Sequence, residues 1–366
     1  MEISIIGLPS VGKTTVFNAL TKCTAEIKHH PSTGITANPA VAKVPDERLS
    51  RLSSIFHPKK TTPAEIKYID IGGLSKGFGK EQGVSGQLLN ILSTSDAILQ
   101  VVRAFEDDNI PHIEAEINPL RDIETMDIEL IFSDMLIVEK RLIRLESALK
   151  MGKSPERDAA AKEKELLTRL KDSLEKNIPV RLQKITDEEL KTISNYQFLT
   201  AKPMLIVINI SEKQLKHYSE SLEELKIKYN RPGVEIISMC AKLEMELAQL
   251  DDKDAEEFRR DMGIKETAFE TIIRNSYALL GLISFFTVGD DEVKAWTIRN
   301  NTTAIKAAGK IHSDMEKGFI RAEIINYTDF IKSGNLAEAR KHGLLRLEGK
   351  NYIMQDGDIA HFLFNI

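Results

Sequence analysis

The sequence predicts an α/β fold that is interrupted by an inserted helical hairpin and followed by a small α+β domain. Three observations predict it. A short apolar strand, a glycine-bearing turn and an amphipathic helix follow one another within the first twenty residues. Two near-continuous apolar runs, 97–102 and 204–209, have the character of central parallel strands, yet about a hundred residues of helical periodicity separate them. After residue 282, strand-like runs surround one longer helical segment.

The first element is Gly7-Leu8-Pro9-Ser10-Val11-Gly12-Lys13-Thr14, which fits G-x-x-x-x-G-K-[ST], a phosphate-binding loop. The glycines let the backbone curl so that successive N–H groups face phosphates. Lys13 reaches the β- and γ-phosphates, the Thr14 hydroxyl ligates Mg²⁺, and Thr15 continues the binding segment into the helix. Residues 3–6 read as the strand that leads in, and Val16, Phe17 and Leu20 give the following helix its apolar face. The N-terminus of that helix adds its dipole at the phosphates.

Residues 29–39 are polar and broken by Gly and Pro, as expected of a first switch loop in which a threonine contacts Mg²⁺ and the γ-phosphate. Thr33 and Thr36 are both candidates. Residues 65–70 read as a strand ending in Asp70-Ile71-Gly72-Gly73, a D-x-x-G in which Asp70 holds the metal through water and Gly73 offers its N–H to the γ-phosphate. The glycine-rich residues 74–86 read as a second switch. After the strand at 204–209, Asn209-Ile210-Ser211-Glu212 and then Cys240-Ala241 lie at strand ends, where a doubly wound sheet receives its ligand. A guanine reader of the N-K-x-D type would need a lysine at 210 and an aspartate at 212. Ile210 and the longer Glu212 make adenine the expected base.

In the insert, Met135, Val138, Leu142, Leu145 and Leu149 keep the 3,4 spacing of a coiled-coil seam. Gly152-Lys153-Ser154-Pro155 breaks the pattern, and Leu167, Leu170, Leu174 and Ile178 resume it, giving a helical hairpin. Thr186 and Glu189 form a capping box for a shorter helix. Residues 140–184 carry thirteen basic and seven acidic side chains, inside a chain of net charge −5. That excess of six is either a solvated helical face or a contact surface for an RNA backbone. The C-terminal part reads as strands at 282–288, 293–299, 321–327, 344–347 and 352–364, the last with a turn at Asp356-Gly357. A helix is expected over 304–317 and a short one over 335–342.

The composition, 42% hydrophobic and 29% charged, is that of an ordinary globular protein. The net charge excludes binding to nucleic acid or membrane by bulk positive charge. Two distant cysteines, Cys23 and Cys240, form no disulfide framework, and no leader or run of about 18 apolar residues is found. The expected location is cytoplasmic, without membrane contact.

These residues together resemble the YchF or Obg-like ATPase group of translation-factor-related P-loop NTPases. The likeness extends over essentially the whole chain. It rests on Gly7 to Thr14, Pro45-Asp46-Glu47-Arg48-Leu49, Asp70 to Leu74, Asn209 to Glu212, Ala-Trp-Thr-Ile at 295–298, the stretch 311–323, and Leu-Glu-Gly-Lys with Gln-Asp-Gly-Asp towards the end. The resemblance implies a Ras-like nucleotide domain over 1–130 and 200–280, an inserted helical hairpin domain over 131–199, and a TGS domain of β-grasp shape over 281–366. It also implies ATP preferred over GTP and association with the ribosome, as the large subunit or a 70S-type particle. Leu74 stands where many relatives place a water-orienting glutamine; the resemblance assigns that part instead to a loop histidine, here His112. Ser10 replaces the asparagine that the family associates with K⁺, which leaves K⁺ an open cofactor beside Mg²⁺. The expected function is a slow Mg²⁺-dependent ATPase cycling between ATP and ADP states as a ribosome-associated switch. The alternative is a nucleotide-gated ribosome- or RNA-binding protein of negligible hydrolysis.

Overall fold

The structure, a computed structural model, describes residues 1–21, 37–72, 85–112, 116–151, 154–261 and 266–365. In chain order the elements are strand β1 (Glu2–Ile6), helix α1 (Lys13–Thr21), β2 (Ala37–Lys43), α2 (Glu47–Phe56), β3 (Lys60–Thr62), β4 (Glu65–Ile71), α3 (Ser85–Thr94), β5 (Ala97–Arg103), α4 (Pro119–Met151), α5 (Ser154–Leu174), β6 (Met204–Asn209) and β7 (Val234–Met239). The C-terminal strands are β8 (Leu282–Thr287), β9 (Glu292–Arg299), β10 (Phe319–Asn326), β11 (Arg346–Glu348) and β12 (Asp358–Phe364). The chain divides into two compact units, Met1–Ala40 with Lys67–Ile272, and Val41–Ile66 with Ile273–Ile366.

The first sheet has the order β2-β4-β1-β5-β6-β7. β1 pairs in parallel with β4 and β5, and β5, β6 and β7 continue in parallel. Parallel neighbours need crossover connections, which bury the central strands on both faces. Every residue of β5 and β6 is accordingly buried. The carboxyl ends of β1, β4, β5, β6 and β7 therefore gather at one edge of the sheet.

The insert begins with α4, whose 33 residues span about 50 Å. Ile123, Met126 and Leu130 of its first half are buried, and the helix runs without a break through residue 131, where the insert was expected to begin. Its second half packs Val138 and Leu145 against Leu167, Leu170 and Leu174 of α5, with Met135, Leu142 and Leu149 alongside. Ile178 departs from the expected seam. α5 ends at Leu174, Asn177 takes a left-handed φ of 58°, and Ile178 is 38% exposed. The Thr186–Glu189 capping box is formed at the helix Asp187–Ile193.

The second sheet has the order β11-β10-β12-β8-β9-β3. Its core is Phe285, Ile298, Ala322, Ile324, Ala360 and Phe362 against the small face Ala304, Ala307 and Ala308 of the helix Ala304–Ile311. Three expectations change here. The helix over 304–317 is broken at His312, whose extended backbone ends one helix and whose Nδ1 accepts from Asp314 N to start the next, Ser313–Lys317. The strand expected from 352 begins only at Asp358, after a turn in which Gly357 has φ 85°. A helix, Tyr327–Ser333, lies where the strand over 321–327 was expected to end. No helix among the described residues is long and apolar enough to cross a membrane.

Candidate functional site

β1 ends in the Gly7–Thr14 loop, and two steric facts fix the loop's path. A Cβ on Gly7 would lie 2.4 Å from the Val101 carbonyl oxygen of β5, and one on Gly12, whose φ is 93°, would lie 2.4 Å from Asn209 Nδ2. Only glycine meets both the close approach and the positive φ. Ser10 also has a left-handed φ, 62°. Leu8 and Val11 bury their side chains, 4% and 1% exposed, while Pro9 and Ser10 are partly exposed. α1 starts at Lys13, with Thr14 and Thr15 in its first turn.

Lys13 Nζ donates to the carbonyls of Gly7 and Leu8, both at 2.9 Å. Burial pushes its pKa down to about 8, against the pull of the nearby Asp70 carboxylate. Asp70, at the carboxyl end of β4, is 3% exposed. Its Oδ2 accepts from Thr14 Oγ1 at 2.8 Å, while its Oδ1 is buried and accepts nothing. Burial pushes this carboxyl up, opposed by Thr14 and Lys13. A hydroxyl beside a carboxylate with one oxygen uncommitted is a hard-oxygen donor pair that fits Mg²⁺.

Asn209 connects this loop to the next. Its Nδ2 donates to Val11 O at 3.0 Å and its Oδ1 accepts from Ala241 N at 3.1 Å, so one amide holds the phosphate loop and the loop after β7 together. Ile210 is buried, and Glu212 opens an exposed 3₁₀ turn, Glu212–Gln214. Gln214 braces that turn: its Oε1 accepts from Ser211 N, and its Nε2 donates to Ala104 O just beyond β5. Cys240 is buried; burial pushes its thiol up, and Glu212, Glu244 and Glu246 push the same way. The structure thus brings together Gly7 to Thr15, Asp70, Asn209, Ile210, Glu212, Cys240 and Ala241. Thr33, Thr36, Gly73 and Leu74 lie outside the described residues.

His112 follows β5 by nine residues, and its side chain is buried rather than solvent-facing. Its Nε2 is 2.9 Å from Asp122 Oδ2, and the two side chains are 3% and 2% exposed. Arg121 holds the other carboxylate oxygen through Nε and Nη2. The loop between is shaped by Arg103, which donates to the carbonyls of Phe105 and Ile110 at 3.0 and 2.8 Å and lies 4.5 Å from the Phe105 ring centroid. Sequence reasoning missed Arg103, Asp122 and Gln214. An arginine at the end of an otherwise apolar strand was the available signal for the first, because a buried charge needs partners.

Comparisons with known proteins agree with this architecture. Residues 2–139 match the family described as 50S ribosome-binding GTPase, and residues 282–365 match YchF-GTPase_C, described as a protein of unknown function. The chain is 42% identical over 368 residues to the Ribosome-binding ATPase YchF of Bacillus subtilis, covering 100% of both chains. It is 41% identical to the protein of that name from Haemophilus influenzae, covering 100% of this chain and 99% of that one. The Schizosaccharomyces pombe YchF GTPase structure superposes with a TM-score of 0.86 at 34% identity, covering 99% of this chain and 97% of that one.

Proposed function

Because the chain belongs to the YchF family, we propose that it is a Mg²⁺-dependent P-loop ATPase that prefers ATP to GTP and acts as a ribosome-associated switch. The names of its relatives differ over the nucleotide, ATPase in two and GTPase in another, so the base preference rests on this chain's own residues. The observation that carries it is the segment after β6. Asn209 is spent on holding two loops, Ile210 is buried where a guanine reader needs a lysine stem over the base, and Glu212 is one methylene longer than the aspartate that pairs with guanine.

In this reading, backbone amides of Gly7 to Thr14 and the Lys13 ammonium bind the phosphates, and Thr14 and Asp70 hold Mg²⁺. The metal, when bound, supplies charge neutralisation on the β- and γ-phosphates. Leu74 cannot orient a water, and His112 takes that part. The ribosome or its RNA is met by the basic helical insert. Arg141 and Arg169 are committed to Glu163 and Glu189, whereas Arg144 and Lys162 form no ion pair among the described residues. A second reading, a nucleotide-gated binding protein of negligible hydrolysis, draws on the burial of the His112 side chain.

The test is a titration with ATP and GTP, with and without ribosomes, followed by single-turnover hydrolysis. ATP affinity about tenfold or more above GTP is expected, since loss of a paired base contact costs at least that much. Equal affinities, or a preference for GTP, overturn the base assignment. Hydrolysis that stays negligible with ribosomes and K⁺ favours the second reading. In the same assay Arg144→Glu with Lys162→Glu weakens ribosome binding in a salt-dependent way; unchanged, salt-independent binding removes the insert from the interface.

A further inference from the structure

We infer that Gln214 is a specificity-determining positioning residue: it locks the turn that carries Glu212, so that the length of the Glu212 side chain discriminates against guanine. The inference rests on the reading above that Glu212 faces the base. Asn209 gives this turn its origin beside the phosphate loop, because its Nδ2 donates to Val11 O and a Cβ on Gly12 would meet that same nitrogen at 2.4 Å. The next residue is fixed as well. Ile210 is buried, and its N donates at 2.9 Å to the carbonyl of Met239, the last residue of β7. The chain then emerges into Glu212 and Lys213, which are both exposed.

Gln214 closes the turn from its far side. Its Oε1 accepts from Ser211 N at 2.7 Å and from Ser211 Oγ at 2.9 Å, and its Nε2 donates to Ala104 O at 3.0 Å. The orientation of the amide follows from these partners, since a backbone N–H only donates and a carbonyl only accepts. Ala104 N in turn donates to Asn209 O at 2.9 Å. The contacts form a closed ring: Asn209 to Ala104, Ala104 to Gln214, Gln214 to Ser211, and Ser211 back along the chain to Asn209. A single 3₁₀ turn has poor hydrogen-bond geometry of its own, and the ring supplies the rigidity. Rigidity decides what an extra methylene does. One more carbon lengthens the carboxylate arm by roughly 1.5 Å, the length of a C–C bond. On a fixed turn that length puts the carboxylate out of register with the two guanine donors. On a turn free to withdraw by the same amount, the pairing is recovered. Selectivity is therefore built against guanine, and Gln214 is what keeps the mismatch in place.

The experiment titrates the full chain with ATP and with GTP, and takes a melting temperature, for the wild type, Glu212→Asp, Gln214→Ala, Gln214→Glu and the double variant of Glu212→Asp with Gln214→Ala. Gln214→Glu still accepts from Ser211 N but cannot donate to Ala104 O. In both Gln214 variants the ATP-over-GTP ratio is expected to narrow by about 3- to 10-fold through a gain in GTP affinity, which a merely loosened site does not produce. The double variant is expected to gain no more than the better of its two parents, because both changes recover the same pairing. A wild-type ratio in either Gln214 variant, or ATP and GTP affinities that fall together, overturns the inference, while narrowing in Glu212→Asp leaves the reading of Glu212 intact. A ratio that narrows only by loss of ATP affinity also overturns it, because Gln214 then serves a contact to adenine. No ATP preference in the wild type, or a wild-type ratio in Glu212→Asp, defeats the reading of Glu212 and the inference with it. If Gln214→Ala does not fold, Gln214→Glu carries the same test.

Discussion

A methyl group on Gly12 would lie 2.4 Å from the Asn209 amide nitrogen, on a backbone whose φ of 93° already disfavours any side chain. Two penalties therefore fall on one substitution. Gly12→Ala should weaken ATP binding by about 10- to 100-fold, the equivalent of one to three kcal/mol of strain transferred to the loop. Circular dichroism should stay unchanged, because the glycine is at a turn and not in a strand or helix. Retained ATP affinity in a titration would show that the loop relaxes around the methyl. This site was legible from eight consecutive residues because its constraint is local: the turn, the lysine and the hydroxyl are all set by sequence spacing. Asn209, Glu212 and Asp70 were legible as strand-end residues for the same reason. The Asp122–His112 contact and the Arg103-shaped turn were not, since a buried hydrogen bond is defined by where two segments meet and leaves no spacing to read.

Helix α4 shows the same division at the scale of one element. Its seam positions were readable from period alone, yet its most constrained residue is polar. Asp134 is fully buried and accepts from Leu199 N and Thr200 N, each at 2.8 Å, and from Thr200 Oγ1 at 2.6 Å, just before β6 begins. Burial pushes its pKa up to about 6, opposed by the Thr200 and Leu199 hydrogen bonds and by Arg181. Lys202, whose own pKa burial lowers, is the other charge that feels it. A folded-state value above the unfolded one means that the folded chain holds this proton more tightly. Its contribution to stability is full below about pH 4 and is lost as the pH rises through 6. The stability of the wild type relative to Asp134→Asn should fall by roughly 2–3 kcal/mol between pH 4 and pH 7. Urea denaturation across that range measures it, and a difference that does not move with pH would mean that folding leaves the Asp134 pKa where it is in the unfolded chain. Spacing gave no sign of this contact because its partner is 65 residues away. Ile178 failed as a seam residue for the complementary reason: a left-handed turn at Asn177 takes the chain off the helix before the pattern ends.

At the scale of the molecule, the unit that contains the C-terminal sheet also includes Val41–Ile66, a segment more than two hundred residues earlier in the chain. β3 joins that sheet in parallel with β9, and Phe56 stacks on Phe330 at 5.4 Å. Arg48 is the centre of this join. Its guanidinium bonds Asp46 and Asp356, at 2.8 and 2.7 Å, and lies 5.2 Å from the Phe286 ring centroid. Asp356 in turn accepts from Ser284 N at 2.9 Å. Burial works against the charge on Arg48, but the two carboxylates outweigh it and raise its pKa. The chain's single tryptophan, Trp296 of β9, stacks on Phe285 and reports on this sheet by fluorescence. Arg48→Ala strips the partner from two carboxylates and should lower the stability read by Trp296 by about 1–2 kcal/mol, the lower part of the range for charged hydrogen bonds because Asp356 is half exposed. Lys59→Ala supplies the comparison. Its ion pair with Asp291 is 81% and 87% exposed, so its removal should leave the Trp296 midpoint unchanged. Equal midpoints in the two variants would mean that the early segment only lies on the sheet; a lower midpoint confined to Arg48→Ala would mean that it unfolds with the sheet as one cooperative unit.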